Sequence, residues 1–240
     1  GGHRVGGRDL AGSGTALGDE LGDGRAHGRA AREPVAHEPV EGPHGRGADD
    51  GDGDDAGRQV GGAEAHVLTG DLIDPTVPGR FVAEAAEQAG RLDGVVIASG
   101  VVAFGPAAEV DDDTVDDLLL VNLLAPLRLV RAALGAVGDG GVVVNLGAVV
   151  AEKPVGGMAA YSASKAGIGA FLAAARPEAR RRKIRIVDVR PPHTETGLAT
   201  RPVAGEAPRM PEGLDPDMVA DRIGAAITGD ETDVPSTEFG

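Results

Sequence analysis

The chain has no cysteine and no tryptophan, and its 240 residues hold one tyrosine and four phenylalanines. Without cysteine there is neither a disulfide framework nor a thiolate metal site. Cations are outnumbered, giving a formal net charge of −15, which argues against a nucleic-acid or anionic-membrane partner. No apolar run reaches the ~18–20 residues of a membrane span. The start lacks the charged-then-apolar pattern of a signal peptide. The expectation is a soluble, cytoplasmic protein, and the length suffices for one α/β domain with a full core.

A second shortage is local. Residues 1–66 contain no Lys, Ile, Phe, Met or Tyr, yet carry 18 of the 39 glycines and five of the six histidines. Their seven large apolar residues (Val5, Leu10, Leu17, Leu21, Val35, Val40, Val60) cannot bury enough surface to offset ordering entropy. The acidic run 48–55 lacks the closing Glu and flanking helices of a calcium loop. Gly12-Ser13-Gly14-Thr15-Ala16-Leu17-Gly18 lacks the preceding apolar strand that a phosphate-cradling loop needs. The segment reads as disordered, or as GC-rich DNA translated out of frame.

From His66 onward short apolar runs alternate with amphipathic helical patterns. Val67-Leu68-Thr69 is expected as a strand ending at Gly70-Asp71-Leu72. Pro78 suits a first helical turn, and Gly90 stops the helix. Leu92 to Ala98 and Gly141 to Leu146 read as strands buried on both faces of a parallel sheet. Asp111 to Val137 is a long helical pattern. Within it Pro126 has no N–H for the Asn122 carbonyl, so a kink is expected that leaves this carbonyl free for another donor. Ile184 to Val189 is a further strand, Asp215 to Ile227 a final helix, and Asp233 to Ser236 a short edge element. Residues 197–213 read as a mobile substrate-covering loop. The alternation predicts a single-domain α/β fold over 67–240, a doubly wound parallel sheet of the Rossmann type.

Tyr161 and Lys165 stand four apart, which stacks them on one helical face. An ammonium beside a phenol favours the phenolate and pulls the tyrosine pKa down from roughly 10. Such a pair can pass a proton to or from a substrate oxygen. A bare Tyr-x-x-x-Lys is more often an ordinary surface pair. The small residues around this one, Met158-Ala159-Ala160 before it and Ala166-Gly167-Ile168-Gly169-Ala170 after it, change the balance.

Tyr161-Ser162-Ala163-Ser164-Lys165-Ala166 resembles the active-site helix of the short-chain dehydrogenase/reductase family, and the resemblance covers about residues 67–240. It implies an NAD- or NADP-dependent oxidoreductase acting on a small alcohol or ketone, without a metal, as a homodimer or homotetramer. By this resemblance Tyr161 is the general acid/base. Lys165 lowers its pKa and holds the cofactor ribose, and the Asn122 carbonyl seats a relay water. Asp71-Leu72 resembles the adenine-contacting pair, although a turn aspartate is an equal reading of Asp71. Ala98-Ser99-Gly100 stands where the ribose approaches the backbone. Pro191, Thr194 and Thr196 fall in the segment that contacts nicotinamide and pyrophosphate.

The departures are specific. Ala148 stands where the family has its catalytic serine, Pro192 where glycine is usual, and Ile97-Ala98-Ser99-Gly100 replaces Asn-Asn-Ala-Gly. Ser162 and Ser164 share the Tyr161–Lys165 face too poorly to replace the serine. His193 reads as a loop residue. The Thr-Gly-x-x-x-Gly-x-Gly turn is not recognisable in residues 1–66. An alternative is therefore a binding or scaffold protein of this fold with impaired turnover.

Overall fold

A computed structural model describes residues 58–60 and 63–239. The readings of residues 12–18 and 48–55 lie outside the described residues. Arg58–Val60 (β1) and Ala63–Ala65 (β2) pair antiparallel, with Arg58 opposite Ala65 and Val60 opposite Ala63. Both strands fall in the last residues of the atypical segment 1–66. Gly61-Gly62, between the strands, is a dipeptide favoured in two-residue hairpins. Val67–Thr69 is irregular, not a strand. It has no strand partner among the described residues, and a strand left alone cannot satisfy its backbone groups.

Helix α1 spans Val77–Ala89, with a proline in its first turn and Gly90 at φ 70° as its left-handed stop. Four parallel strands follow in the order β3-β4-β5-β6: Leu92–Ile97, Val137–Leu146, Arg185–Val189 and Asp233–Val234. The register sets Ile97 beside Asn145, Asn145 beside Asp188 and Val189 beside Val234. Helices connect each parallel pair, as parallel pairing requires.

Alternate residues of the strands serve opposite faces. Val143 and Ile186 pack under Val130 and Ala133 of α3 (Ala125–Ala136) and under Ile168 and Leu172 of α4 (Ala159–Ala179). Val144, Val187 and Val189 pack against Val219 and Ala226 of α5 (Pro216–Thr228). β4 and β5 are therefore covered on both sides, as their apolar runs predict. β3 is not: Val96 is 50% exposed. The α5 layer stops short of it, and its outer edge has no partner among the described residues.

The long helical pattern is one continuous run in three parts. Asp111 caps α2 (Asp112–Leu119), its carboxylate accepting from the Thr114 N–H at 2.7 Å. A π turn spans Leu120–Leu124, and the Ala125 N–H reaches back to the Leu120 carbonyl. The expected kink is thus an added residue in one turn, which lets the helix absorb a proline without an N–H at 126. By length and composition Asp112–Ala136 is apolar enough to cross a bilayer. In this fold Leu118, Ala125, Val130 and Ala133 are buried in the protein's own interior.

Candidate active site

The carboxyl ends of β3 and β4 meet the first turns of α4, and there most of the singled-out residues converge. Tyr161 is 6% exposed, packed with Val102, Phe104, Leu118 and Val150, and Ala148 and Met158 lie against the same cluster. Lys165, one turn on, is 5% exposed and donates to the Leu146 carbonyl at 3.2 Å. Gly100 lies against it: a Cβ there would come within 3.2 Å of both Lys165 Nζ and Asn122 Oδ1. Only glycine leaves this space open.

Asn122 is completely buried. Its Oδ1 accepts from the Val101 N–H at 2.9 Å, and its Nδ2 donates to the Val101 carbonyl at 2.9 Å and to Ser164 Oγ at 3.1 Å. Ser164 in turn donates to the Tyr161 carbonyl at 2.8 Å. The π turn, the segment after β3 and the catalytic-type helix are fastened together through this one amide. The Asn122 side chain is thus a structural tie.

Electrostatics overturn one expectation. Burial pushes the Tyr161 phenol up to about 12, opposite to the expected lowering by Lys165. Burial also pulls Lys165 down to about 8, and Asp188 partly restores it. Desolvation, invisible in a four-residue spacing, is the leading cause at both residues, because both charged forms lose water. At neutral pH the pair is a neutral phenol beside a mostly protonated amine.

The other residues separate from this centre. Ser99 adjoins Gly100, and its Oγ is buried with no hydrogen-bond partner among the described residues. Ala98 is exposed. Asp71 is an exposed turn aspartate, accepting from the Ile73 N–H at 2.9 Å, and Leu72 sits within that turn. The Pro191 carbonyl accepts from the Val149 N–H at 3.1 Å, which ties the segment after β5 to the stretch after Ala148. Thr194 Oγ1 donates to the Pro192 carbonyl at 3.0 Å, and Thr196 is exposed. His193 Nε2 lies 3.3 Å from Glu195 Oε1 in the same loop.

Residues 197–213 are sewn down at their middle. The Val203 N–H donates to the Val102 carbonyl at 2.8 Å, and the Phe104 N–H to the Ala204 carbonyl at 2.9 Å. This corrects the picture of a single free covering loop. A cavity of about 270 Å³ opens between the segment's arms, lined by His193, Glu195, Thr200 and Met210.

One charged group escaped sequence reasoning. Asp188 is 3% exposed in β5. Its Oδ2 lies 2.6 Å from an Arg190 nitrogen, and its Oδ1 accepts from Asn145 Nδ2 at 3.3 Å. Arg190 also meets Glu152 at 2.5 Å and Asp233 at 2.7 Å. A lone carboxylate inside the apolar run Ile184–Val189 was the available signal.

Parallel strands with helices on both faces, and a Tyr–Lys pair at their carboxyl ends, define a Rossmann-like α/β scaffold. A family model for short chain dehydrogenase matches residues 52–206, and the chain belongs to that family. The match begins earlier than the resemblance at 67 indicated. A short-chain dehydrogenase/reductase of Pyricularia oryzae is 34% identical over 134 residues, 54% of this chain and 50% of that protein. The human 3-oxoacyl-[acyl-carrier-protein] reductase is 32% identical over 117 residues, 48% of this chain and 49% of that protein. The chain thus spans about half the length of these curated relatives. A short chain dehydrogenase from Burkholderia cenocepacia, solved in complex with NADP, aligns with TM-score 0.64 at 25% identity, covering 73% of this chain and 76% of that one.

Proposed function

We propose that the chain is an NAD- or NADP-dependent oxidoreductase acting on a small alcohol or ketone. The observation that carries this reading is the convergence of Tyr161, Lys165, Asn122 and Gly100 at the strand ends. The open space at Gly100, with the unpartnered Ser99 hydroxyl beside it, suits the close approach of a ribose. A bound nicotinamide supplies or accepts the hydride. Lys165 holds the ribose hydroxyls and presents positive charge to the phenol. Tyr161, protonated at neutral pH, donates to the carbonyl oxygen in the reducing direction. The backbone carbonyl of Asn122, which Pro126 cannot serve, seats the water that resupplies the proton. Asp71, Leu72, Ala98, Pro191, Thr194 and Thr196 complete the cofactor contacts by family resemblance. The same resemblance supports a cytoplasmic homodimer or homotetramer, measurable by sedimentation.

Ala148 favours the competing reading, a binding protein with impaired turnover. Calorimetric titration with NADPH and NADH, alongside reduction of simple ketones, separates the two. Binding with turnover that Tyr161→Phe abolishes supports the enzyme, and binding without turnover supports the alternative. Absence of binding to either cofactor refutes the oxidoreductase reading and leaves a scaffold protein of this fold.

A further inference from the structure

Lys165 is a buried cation, and its surroundings can be taken element by element. Tyr161 precedes it on α4. Asn122 and Gly100 flank the ammonium from the π turn and from the end of β3, and neither carries charge. From β4 it meets only the Leu146 carbonyl. Among the described residues the charge that acts on it comes from β5, the carboxylate of Asp188.

Two glycines mark where that carboxylate lies. A Cβ at Gly147, next to the carbonyl that Lys165 holds, would stand 3.2 Å from Asp188 Oδ1. A Cβ at Gly169, one turn beyond Lys165 on α4, would stand 3.5 Å from Asp188 Oδ2. The carboxylate therefore sits in the crevice between β4 and α4, directly below the lysine's turn. No contact ion pair joins Asp188 to Lys165. Arg190 and Asn145 donate hydrogen bonds to Asp188, and Glu152 and Asp233 engage the rest of the guanidinium. Ser236 holds Glu152 through Oγ at 2.7 Å. Arg176 also reaches Asp233, at 3.5 Å, so three carboxylates and two arginines leave the cluster net negative.

We propose that Asp188 is the through-space counter-charge of Lys165, a positioning residue held in place by Arg190 and Asn145. This rests on the oxidoreductase reading, in which Lys165 must carry its proton to act on the phenol and the ribose. A charge placed below the helix leaves the ammonium free to face the site, which a contact ion pair would not. It also gives the buried Asp188 a role beyond the fold's stability, where burying an ion pair alone gains little.

The chain has three lysines, Lys153, Lys165 and Lys183, so lysine labelled with ¹³C at Cε gives three signals. The one missing from Lys165→Met is that of Lys165. Its titration midpoint is expected near 8 in the native protein and at lower pH in Asp188→Asn, which keeps the shape of the carboxylate without its charge. An unchanged or raised midpoint in a folded Asp188→Asn overturns the proposal. Should that variant fail to fold by circular dichroism, Asp188→Ser, smaller and also neutral, carries the test with the same sign. Removing the carboxylate should lower the midpoint, and an unchanged or raised one overturns the proposal. NADPH titration of the same samples keeps the two readings apart. A midpoint that moves as expected in a protein that binds no cofactor sinks the oxidoreductase reading and leaves the Asp188 assignment standing.

Discussion

Replacing Asn122 with alanine tests how the site is assembled. The side chain makes three hydrogen bonds at 2.9–3.1 Å from a fully buried position. At a net ~1 kcal/mol each, their loss amounts to about 3 kcal/mol. Stranding the Val101 N–H and carbonyl without partners adds to this, so the whole cost is roughly 3–5 kcal/mol. For a domain of this size each kcal/mol moves the thermal midpoint by about 2–4 °C, so a fall of roughly 10 °C is expected. Thermal and urea unfolding followed by circular dichroism measure it. Ser164→Ala and the double variant close a cycle. Because Asn122 and Ser164 share a bond, a coupling of about 1 kcal/mol should appear between them. A loss under about 1 kcal/mol for Asn122→Ala, or strict additivity with Ser164→Ala, would refute the idea that this amide fastens the π turn to α4.

Three further expectations follow from particular residues. Ala148→Ser restores a hydroxyl beside the Tyr161 cluster and should raise kcat by about 10²–10³; no change in steady-state turnover would mean another group holds the substrate oxygen. Burial sets Lys165 at about 8 against 10.5 for a free lysine, so between these values the unfolded chain binds more protons and stability rises with pH. The rise is at most about 1.4 kcal/mol per unit. Above pH 10 Tyr161, pushed up to about 12, reverses it, and urea midpoints from pH 7.5 to 11 check both limbs. Finally, residues 1 to about 65 are proposed to be an out-of-frame rendering of the family's first strand–helix units. Reading the gene in its two other frames should reveal an apolar strand followed by Thr-Gly-x-x-x-Gly-x-Gly. If neither frame encodes one, the segment is a real divergent N-terminus.

What the sequence made legible was local. β4 and β5 are continuous apolar runs because both faces are covered, and Pro78, Gly90, Asp111 and Asp215 punctuate helices where they stand. Tyr161 and Lys165 stood out by their spacing together with their small-residue flanks and family resemblance, and both are buried in α4. What escaped depends on neighbours. β3 reads like β4, yet Val96 is exposed, because coverage of a strand is decided by elements far along the chain. Val67–Thr69 has strand composition without a strand partner among the described residues. Tyr161 and Lys165 shift against expectation because desolvation is a property of the assembled site. Asp188 passed unnoticed because its meaning lies in the register that brings it beside Asn145 and beneath α4.

The stitch between Val102–Phe104 and Val203–Ala204 reshapes how a substrate reaches Tyr161. A flap hinged at two ends can swing clear as one body. A segment also pinned at its midpoint can only bow outward as two short arcs, 197–202 and 206–213. Each arc has few residues over which to spread a dihedral change. On the proposed oxidoreductase reading, such a doorway would act as a fixed frame that discriminates among substrates by shape more than by the timing of a closing gate.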